Sequence, residues 1–165
     1  MSLPLPLAVP LWSLLATVAI TAVLAGSQGG GLTRLSLPFL LGTFFTGHRH
    51  RALLYGVLLY LLGGQLFGVL YFLGLAALGR ANLWLGMALG CLHALFLLTV
   101  ILPVLPHLHP RVASEYDGPR GPRRLEPPGF LALNYGYRTP LVTIIGHVLY
   151  GAVLGAGFAT LLEHA

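Results

Sequence analysis

The sequence predicts an all-α fold: a bundle of four transmembrane helices with a short interfacial or re-entrant segment and a long proline-rich cytoplasmic loop. Of its 165 residues, 56% are hydrophobic and only 8% are charged, and the mean hydropathy is +0.84. A soluble domain carries about 25% charged residues, so this chain cannot cover its surface with polar groups. Four apolar runs, at about residues 7–26, 52–77, 83–102 and 141–162, are each long enough for a helix to cross a bilayer. They lack the alternating polarity of barrel strands.

The first run follows a proline-punctuated tail and ends near Gly26, where a Ser-Gln-Gly-Gly-Gly sequence favours a break in the helix. No basic residue precedes it, so we expect a retained span rather than a cleaved signal peptide. Residues 35–46 are apolar but too short to cross upright, and they contain Pro38 and Gly42. We therefore predict that this segment lies at the membrane surface or re-enters the membrane.

One short and one long connection separate the remaining runs. Residues 78–82 alone join the second run to the third, which predicts an antiparallel helical hairpin. Residues 103–140 are rich in proline and cannot form one continuous helix. Their second half, residues 125–140, contains apolar and aromatic side chains that we expect to pack on the bundle or at the interface. Thr139 and Pro140 are a helix-start signal for the fourth run.

The arginines predict the orientation of the bundle. Two connections carry Arg34, Arg49 and Arg51 after the first run, and Arg111, Arg120, Arg123, Arg124 and Arg138 after the third. With four spans these connections lie on one side of the membrane, and the opposite side has only Arg80. The positive-inside rule places arginine-rich connections in the cytoplasm, so both termini are predicted to be periplasmic. This orientation requires that residues 35–46 do not cross the membrane.

Charge also indicates the partners. The net charge of +5 comes from arginine alone, because the chain has no lysine. A basic chain can indicate nucleic-acid binding in a soluble protein, but these arginines flank membrane spans. We therefore expect the lipid bilayer, with its anionic headgroups, as their partner and no nucleic acid. The one cysteine, Cys91, cannot form an internal disulfide.

Small residues recur four positions apart in the spans, a spacing that lets helix backbones approach closely in lipid. The pairs are Gly64 with Gly68, Gly86 with Gly90, and Gly151 with Gly155. Two interpretations fit this pattern. The glycines either pack the helices of one bundle or form a face for another membrane subunit or a second copy of the chain.

Four polar side chains inside the runs are candidates for a function: Gln65, His93, Thr143 and His147. A rise of 1.5 Å per residue places His93 about 13 Å and His147 about 10 Å from the same membrane edge, so the two imidazoles could meet. Three interpretations of the pair are open. The two imidazoles could form structural hydrogen bonds, or they could bind haem or a metal as a cofactor site. Together with Gln65 and Thr143, they could also line a polar transport path. No Asp or Glu lies within a run, as a proton relay would require.

Two His-x-His pairs are candidate metal ligands: His48 with His50, and His107 with His109. In an extended backbone, residues two apart point to one side, and four imidazoles would suit zinc or copper. Neighbouring arginines disfavour a cation there, and the alternative is contact with lipid headgroups.

The segments LGTFFTGHRHRALLYG, LPHLHPRVASE and LEPPGFLALNYGYRTPLVTIIGHVLYGAVLGA resemble a group of small bacterial multi-pass membrane proteins without an assigned activity. The resemblance covers about residues 38–157, and the last segment is its most distinctive part. It implies a four-span protein of the bacterial inner membrane and transfers no catalytic residue.

The leading functional hypothesis is a non-enzymatic membrane protein that acts as an accessory subunit of a larger complex or as an oligomer. The sequence has no nucleophile elbow, phosphate-binding loop or zinc-protease helix, and no cofactor is required. Two alternatives remain open: a small transporter or channel with a path through the four polar residues of the spans, and a haem- or metal-binding membrane protein.

Overall fold

Helices form nearly all of the regular structure in the computed structural model, which describes residues 4–113 and 125–162. The helices are α1 (Leu5–Gly29), α2 (Leu37–Gly42), α3 (Arg49–Ala77), α4 (Leu83–Phe96), α5 (Leu102–Leu108) and α6 (Thr139–Leu162). A π-helical turn (Leu97–Ile101) joins α4 to α5, and a 3-10 segment (Phe130–Tyr135) precedes α6. In the described residues, the only β pairing is one isolated bridge. The predicted all-α class is therefore confirmed.

Four helical stretches are long and apolar enough to cross a membrane: α1, α3, the continuous stretch Leu83–Leu108, and α6. The prediction of four apolar helices of membrane-crossing length is confirmed. Three of the predicted loop arginines, Arg120, Arg123 and Arg124, lie outside the described residues.

The third stretch continues six residues beyond its expected end at residue 102 and reaches Leu108. Pro103 has no N–H, and its ring would clash with a carbonyl of the preceding helical turn. A π-helical turn comes immediately before it, in which the Leu102 N–H bonds to the carbonyl of Leu97. This wider turn accommodates the proline, so the helix continues where the sequence predicts a loop.

The bundle is built around α6, which packs most extensively against α4 and then against α1. Glycines bring α4 and α6 into backbone contact. A Cβ at Gly86 would collide with the carbonyl of Gly151, and a Cβ at Gly90 would collide with the carbonyl of His147. The glycine rows of these two helices therefore pack the bundle itself.

A second glycine row joins α3 to α1. A Cβ at Gly64 would collide with the Thr17 side chain, and a Cβ at Gly68 would collide with Ser13. Both α1 hydroxyls are buried and donate back to the helix: Ser13 Oγ to the Val9 carbonyl and Thr17 Oγ1 to the Ser13 carbonyl, each at 2.7 Å. Both hydroxyl protons are used within α1, so the contact between α1 and α3 depends on close packing of the side chains against the glycines.

The short helix α2 has six residues, about 9 Å of rise, and cannot cross a bilayer. It packs against the first turns of α3, where a Cβ at Gly56 would collide with the Pro38 carbonyl and one at Gly42 with the Ala52 carbonyl. The Ser36 side chain caps its start by accepting from the Phe39 N–H. This geometry agrees with a segment that enters the bundle from one end without crossing it.

The chain before α6 folds over the same end of the bundle. Ala132 is fully buried in a cluster with Leu35 and Leu102. The Arg34 N–H donates to the Tyr135 carbonyl at 2.8 Å, and the Arg34 guanidinium lies 3.1 Å from Glu126. The described part of the long loop therefore packs on the bundle, as its apolar residues predict.

Replacing Gly151 with alanine should destabilise the protein, because the new methyl group would meet the Gly86 carbonyl across the α4–α6 contact. Overpacking of this kind costs about 1–3 kcal/mol. Gly74→Ala is the matched control, since a Cβ there meets nothing within 4 Å. We expect a lower unfolding midpoint in detergent for Gly151→Ala and an unchanged or higher one for Gly74→Ala. Equal midpoints would contradict the proposed role of the contact.

Candidate functional site

A cavity of about 530 Å³ lies between α3 and α4. Its back wall comes from α1 and α6, through residues such as Thr17 and His147, and α2 covers one end with Leu40 and Phe44. The described lining residues include no Asp, Glu, Lys or Arg, and most are aliphatic or aromatic. The site is therefore an apolar chamber within the helical part of the chain.

The cavity exists because α3 and α4 hardly touch each other. The small residues of α4 pack on α6, and those of α3 pack on α1 and α2, so neither helix offers a close-packing row to the other. Large side chains, including Phe67 of α3 and Phe96 of α4, border the resulting gap. The side of the cavity opposite α1 and α6 faces away from the bundle, where a lipid bilayer would lie.

His93 and His147 meet at the inner end of this cavity, as their predicted depths indicate. Their ring centroids are 4.8 Å apart and the rings are nearly perpendicular, at 76°. His147 is buried, and its Nδ1 donates to the carbonyl of Thr143 at 2.8 Å. His93 Nδ1 lies 3.4 Å from the Tyr71 hydroxyl. The Phe67 ring packs on His93 with centroids 4.1 Å apart.

Tyrosines that were not among the predicted site residues complete the polar end. Tyr71 and Tyr150 stack edge to face with centroids 5.5 Å apart, and the Tyr150 hydroxyl donates to the Gly64 carbonyl at 2.6 Å. Tyr60 also lines the cavity, and its buried hydroxyl lies near the Thr21 side chain of α1. Tyrosines deep in an apolar run are a usable signal, because a buried hydroxyl normally has a partner.

Gln65 lies apart from the histidine pair and faces α1. With its amide oriented to satisfy both neighbours, its nitrogen donates to the Pro10 carbonyl and its oxygen accepts from the Leu14 N–H, each at 3.2 Å. Of the four predicted polar residues, the structure thus brings together His93, His147 and the Thr143 carbonyl. Gln65 instead joins α3 to the proline-containing turn of α1.

A clamp of two side chains, Arg111 and His109, holds α2 over the other end of the cavity. The Arg111 guanidinium donates to the carbonyls of Thr43 and Phe44 at 2.8 and 2.9 Å. His109 Nε2 donates to the Leu40 carbonyl at 3.0 Å. The His109 ring also packs edge-on against the Phe44 ring, with centroids 4.6 Å apart. The clamp thus binds the carbonyl end of α2 to the chain that follows α5.

The hydrogen bonds of His109 require a neutral imidazole. Its Nδ1 accepts from the Arg111 backbone N–H at 3.0 Å, while Nε2 carries the proton that Leu40 accepts. Burial lowers the pKa of His109; the bond to Leu40 opposes this shift and the nearby Arg111 charge reinforces it. Protonating Nδ1 would remove an acceptor and place two positive charges side by side.

The four histidines of the His-x-His pairs are not gathered into one site. His48 and His50 are exposed at the start of α3, whereas His109 is 3% exposed and bonded to α2. Within residues 4–113 and 125–162, no three His, Cys, Asp or Glu side chains are arranged to hold a metal ion. Metal binding by these residues stays a prediction.

The histidine pair does not fit a haem in this arrangement. The His93 and His147 rings are in direct contact, whereas two axial ligands must stand on opposite faces of a porphyrin. A metal coordinated by both rings would need at least one further ligand, and the described wall offers no carboxylate or thiolate. The pair suits hydrogen bonding better than coordination.

Comparisons of this chain with protein-family models, with curated proteins and with solved structures found no match. An apolar chamber of this size with hydrogen-bonding atoms at one end is suited to binding a small amphiphilic molecule.

Lowering the pH should loosen the clamp. The folded-state pKa of His109 is depressed, so its neutral form stabilises the fold fully above the ordinary value of about 6.5. That stability is lost as the pH falls through the lower folded-state pKa. We expect the unfolding midpoint to fall as the pH drops below about 6.5, and less steeply in His109→Gln, whose amide keeps a donor for Leu40. The exposed His48→Gln is the control, and an equal slope in wild type and His109→Gln would contradict the prediction.

Proposed function

We propose that this protein is a non-enzymatic integral membrane protein that binds a lipid-soluble small molecule in the cavity between α3 and α4. The cavity carries the proposal: it measures about 530 Å³, within the roughly 300–1,000 Å³ of small-molecule sites. Its mostly apolar wall matches a ligand that partitions into lipid.

The alternative contents of the cavity fit less well. A water molecule needs two to four polar partners in a buried site, and the wall supplies polar atoms mainly around His93 and His147. If an apolar space of this volume were empty, every residue lining it would lack van der Waals contacts on that side. A lipid-soluble molecule restores those contacts, and it can enter from the bilayer between α3 and α4.

The non-enzymatic part of the proposal rests on the chemistry of the wall. Among the described lining residues there is no carboxylate, thiol or amine to act as a nucleophile. His147 Nδ1 and the Tyr150 hydroxyl are both held by backbone carbonyls of the bundle. These groups can bind and orient a ligand, but they do not form a nucleophile–base pair.

We also propose an inner-membrane location in bacteria, with both termini on the periplasmic side. The described arginines Arg34, Arg49, Arg51, Arg111 and Arg138 lie at the end of the bundle formed by the close of α1 and the starts of α3 and α6. Arg80 lies at the opposite end, in the α3–α4 turn. The short α2 supports the four-span count on which the positive-inside argument depends. Assembly with other membrane subunits or with a second copy stays a prediction.

Filling the cavity should abolish ligand binding. A Cβ at Gly63, which lines the cavity, meets nothing within 4 Å, so the ring of Gly63→Phe would occupy the space without a backbone clash. Gly74→Phe is the matched control: it lies on the same helix, also meets nothing within 4 Å, and does not line the cavity. We expect native mass spectrometry in mild detergent to show a co-purifying lipid-soluble molecule in wild type and Gly74→Phe, and to show it lost from Gly63→Phe. Equal retention in both variants would overturn the proposed site.

The orientation is testable with single cysteines in a Cys91→Ser background. Gly47→Cys and Leu78→Cys place thiols at exposed positions at opposite ends of α3. A membrane-impermeant maleimide added to intact cells should label Leu78→Cys, and it should label Gly47→Cys only after the inner membrane is permeabilised. The reverse pattern would contradict the orientation.

A further inference from the structure

The Nε2 atoms of His93 and His147 have no hydrogen bond within the described residues, and unlike the Tyr60 hydroxyl they are not enclosed by protein. The Nδ1 atoms of both rings point to protein partners, the Tyr71 hydroxyl and the Thr143 carbonyl. Both rings line the cavity. The remaining nitrogens are therefore the hydrogen-bonding groups that the wall offers to a ligand.

The partner of His147 determines which of its nitrogens carries a proton, and the partner of His93 favours one assignment. A carbonyl only accepts, so His147 Nδ1 carries the proton that bonds to Thr143, and its Nε2 in the neutral ring is an acceptor. Either group can donate in the 3.4 Å contact between the Tyr71 hydroxyl and His93 Nδ1. A phenol is the stronger donor of the two, so we assign the donor role to Tyr71. His93 Nε2 is then an N–H donor. One ring offers an acceptor and its neighbour offers a donor, with the ring centroids 4.8 Å apart.

Charge restricts the ligand further. The described wall has no Lys or Arg to neutralise an anionic head and no Asp or Glu to neutralise a cationic one. Burying an unpaired charge in an apolar site is strongly unfavourable. A head that is uncharged, and that both donates and accepts hydrogen bonds, satisfies both nitrogens.

We infer that the ligand is an uncharged lipid with a hydroxyl head, whose O–H donates to His147 Nε2 and whose oxygen accepts from His93 Nε2–H. Its hydrocarbon tail lies along the α3–α4 gap beside Phe96 and extends toward Phe44 under α2. Long-chain alcohols, prenols and quinols share this chemistry. The inference rests on the proposed function and names the class of molecule that the same cavity selects.

The test uses three diazirine-bearing photoprobes with the same long chain: an alcohol, a carboxylic acid and an alkane. Full-length protein in detergent at about pH 8, where the acid is ionised, is irradiated with each, and labelling is titrated for wild type, His93→Phe, His147→Phe and Gly63→Phe. We expect the alcohol to bind best in wild type. Each His→Phe change removes one hydrogen bond but keeps an aromatic ring, so alcohol affinity should fall about 3- to 10-fold while alkane affinity stays unchanged. Retained alkane labelling also shows that the variants are folded.

The outcomes separate this inference from the proposed function. If the ionised acid or the alkane binds as tightly as the alcohol, or if both His→Phe variants bind alcohol like wild type, the hydroxyl assignment is wrong and the cavity still binds lipid-soluble molecules. If Gly63→Phe reduces the labelling by none of the three probes relative to wild type, the cavity does not bind them. The proposed function is then wrong, and the ligand assignment is overturned with it. Selective loss of alcohol binding in both histidine variants supports the inference.

Discussion

The backbone contact between α4 and α6 is the constraint on which the rest of the structure depends. In lipid, apolar surface gives helices little reason to associate, so close packing and dispersion must hold them together. Gly86 and Gly90 of α4 meet Gly151 and the His147 backbone of α6 so closely that a single added carbon on either α4 glycine would collide with a carbonyl. Gly90 lies against the His147 carbonyl, and His93 follows one helical turn later. The contact therefore sets both the crossing of the two helices and the meeting of the two imidazoles.

The same contact leaves α3 without a close partner in α4. Three glycines of α3 pack against its other neighbours: Gly56 against Pro38 of α2, and Gly64 and Gly68 against Thr17 and Ser13 of α1. The bundle therefore consists of two tightly packed pairs, α4 with α6 and α3 with α2, joined through α1, and the cavity is the space between the pairs. At one end of this space the Arg111–His109 clamp connects the pairs through the carbonyls of α2. At the other end the histidines and tyrosines connect them.

The sequence was sufficient to predict what depends on composition and length. The charge-poor composition and the four apolar runs predicted the all-helical chain and its four long helices, and the helical rise predicted that His93 and His147 lie at matching depths. It could not predict the cavity, because that depends on which glycine row faces which helix, and three rows of similar spacing allow several pairings. The continuation through Pro103 was missed because a π-helical turn has no simple sequence signal. His109 was grouped with potential metal ligands because spacing alone does not show that its ring is bonded to Leu40 of α2.

Polar groups in this bundle are almost all satisfied by the chain itself, and that makes the exceptions informative. The hydroxyls of Ser13, Thr17 and Thr21 donate to carbonyls one turn earlier in α1. Gln65 and Tyr150 donate to backbone carbonyls of neighbouring helices. In hydrocarbon an unsatisfied polar atom is costly, so a bundle that pairs so many of its polar groups internally would pair the remaining ones as well if nothing else used them. The Nε2 atoms of His93 and His147 remain without a partner within the described residues, and the proposed ligand, which enters from the lipid, would complete both hydrogen bonds.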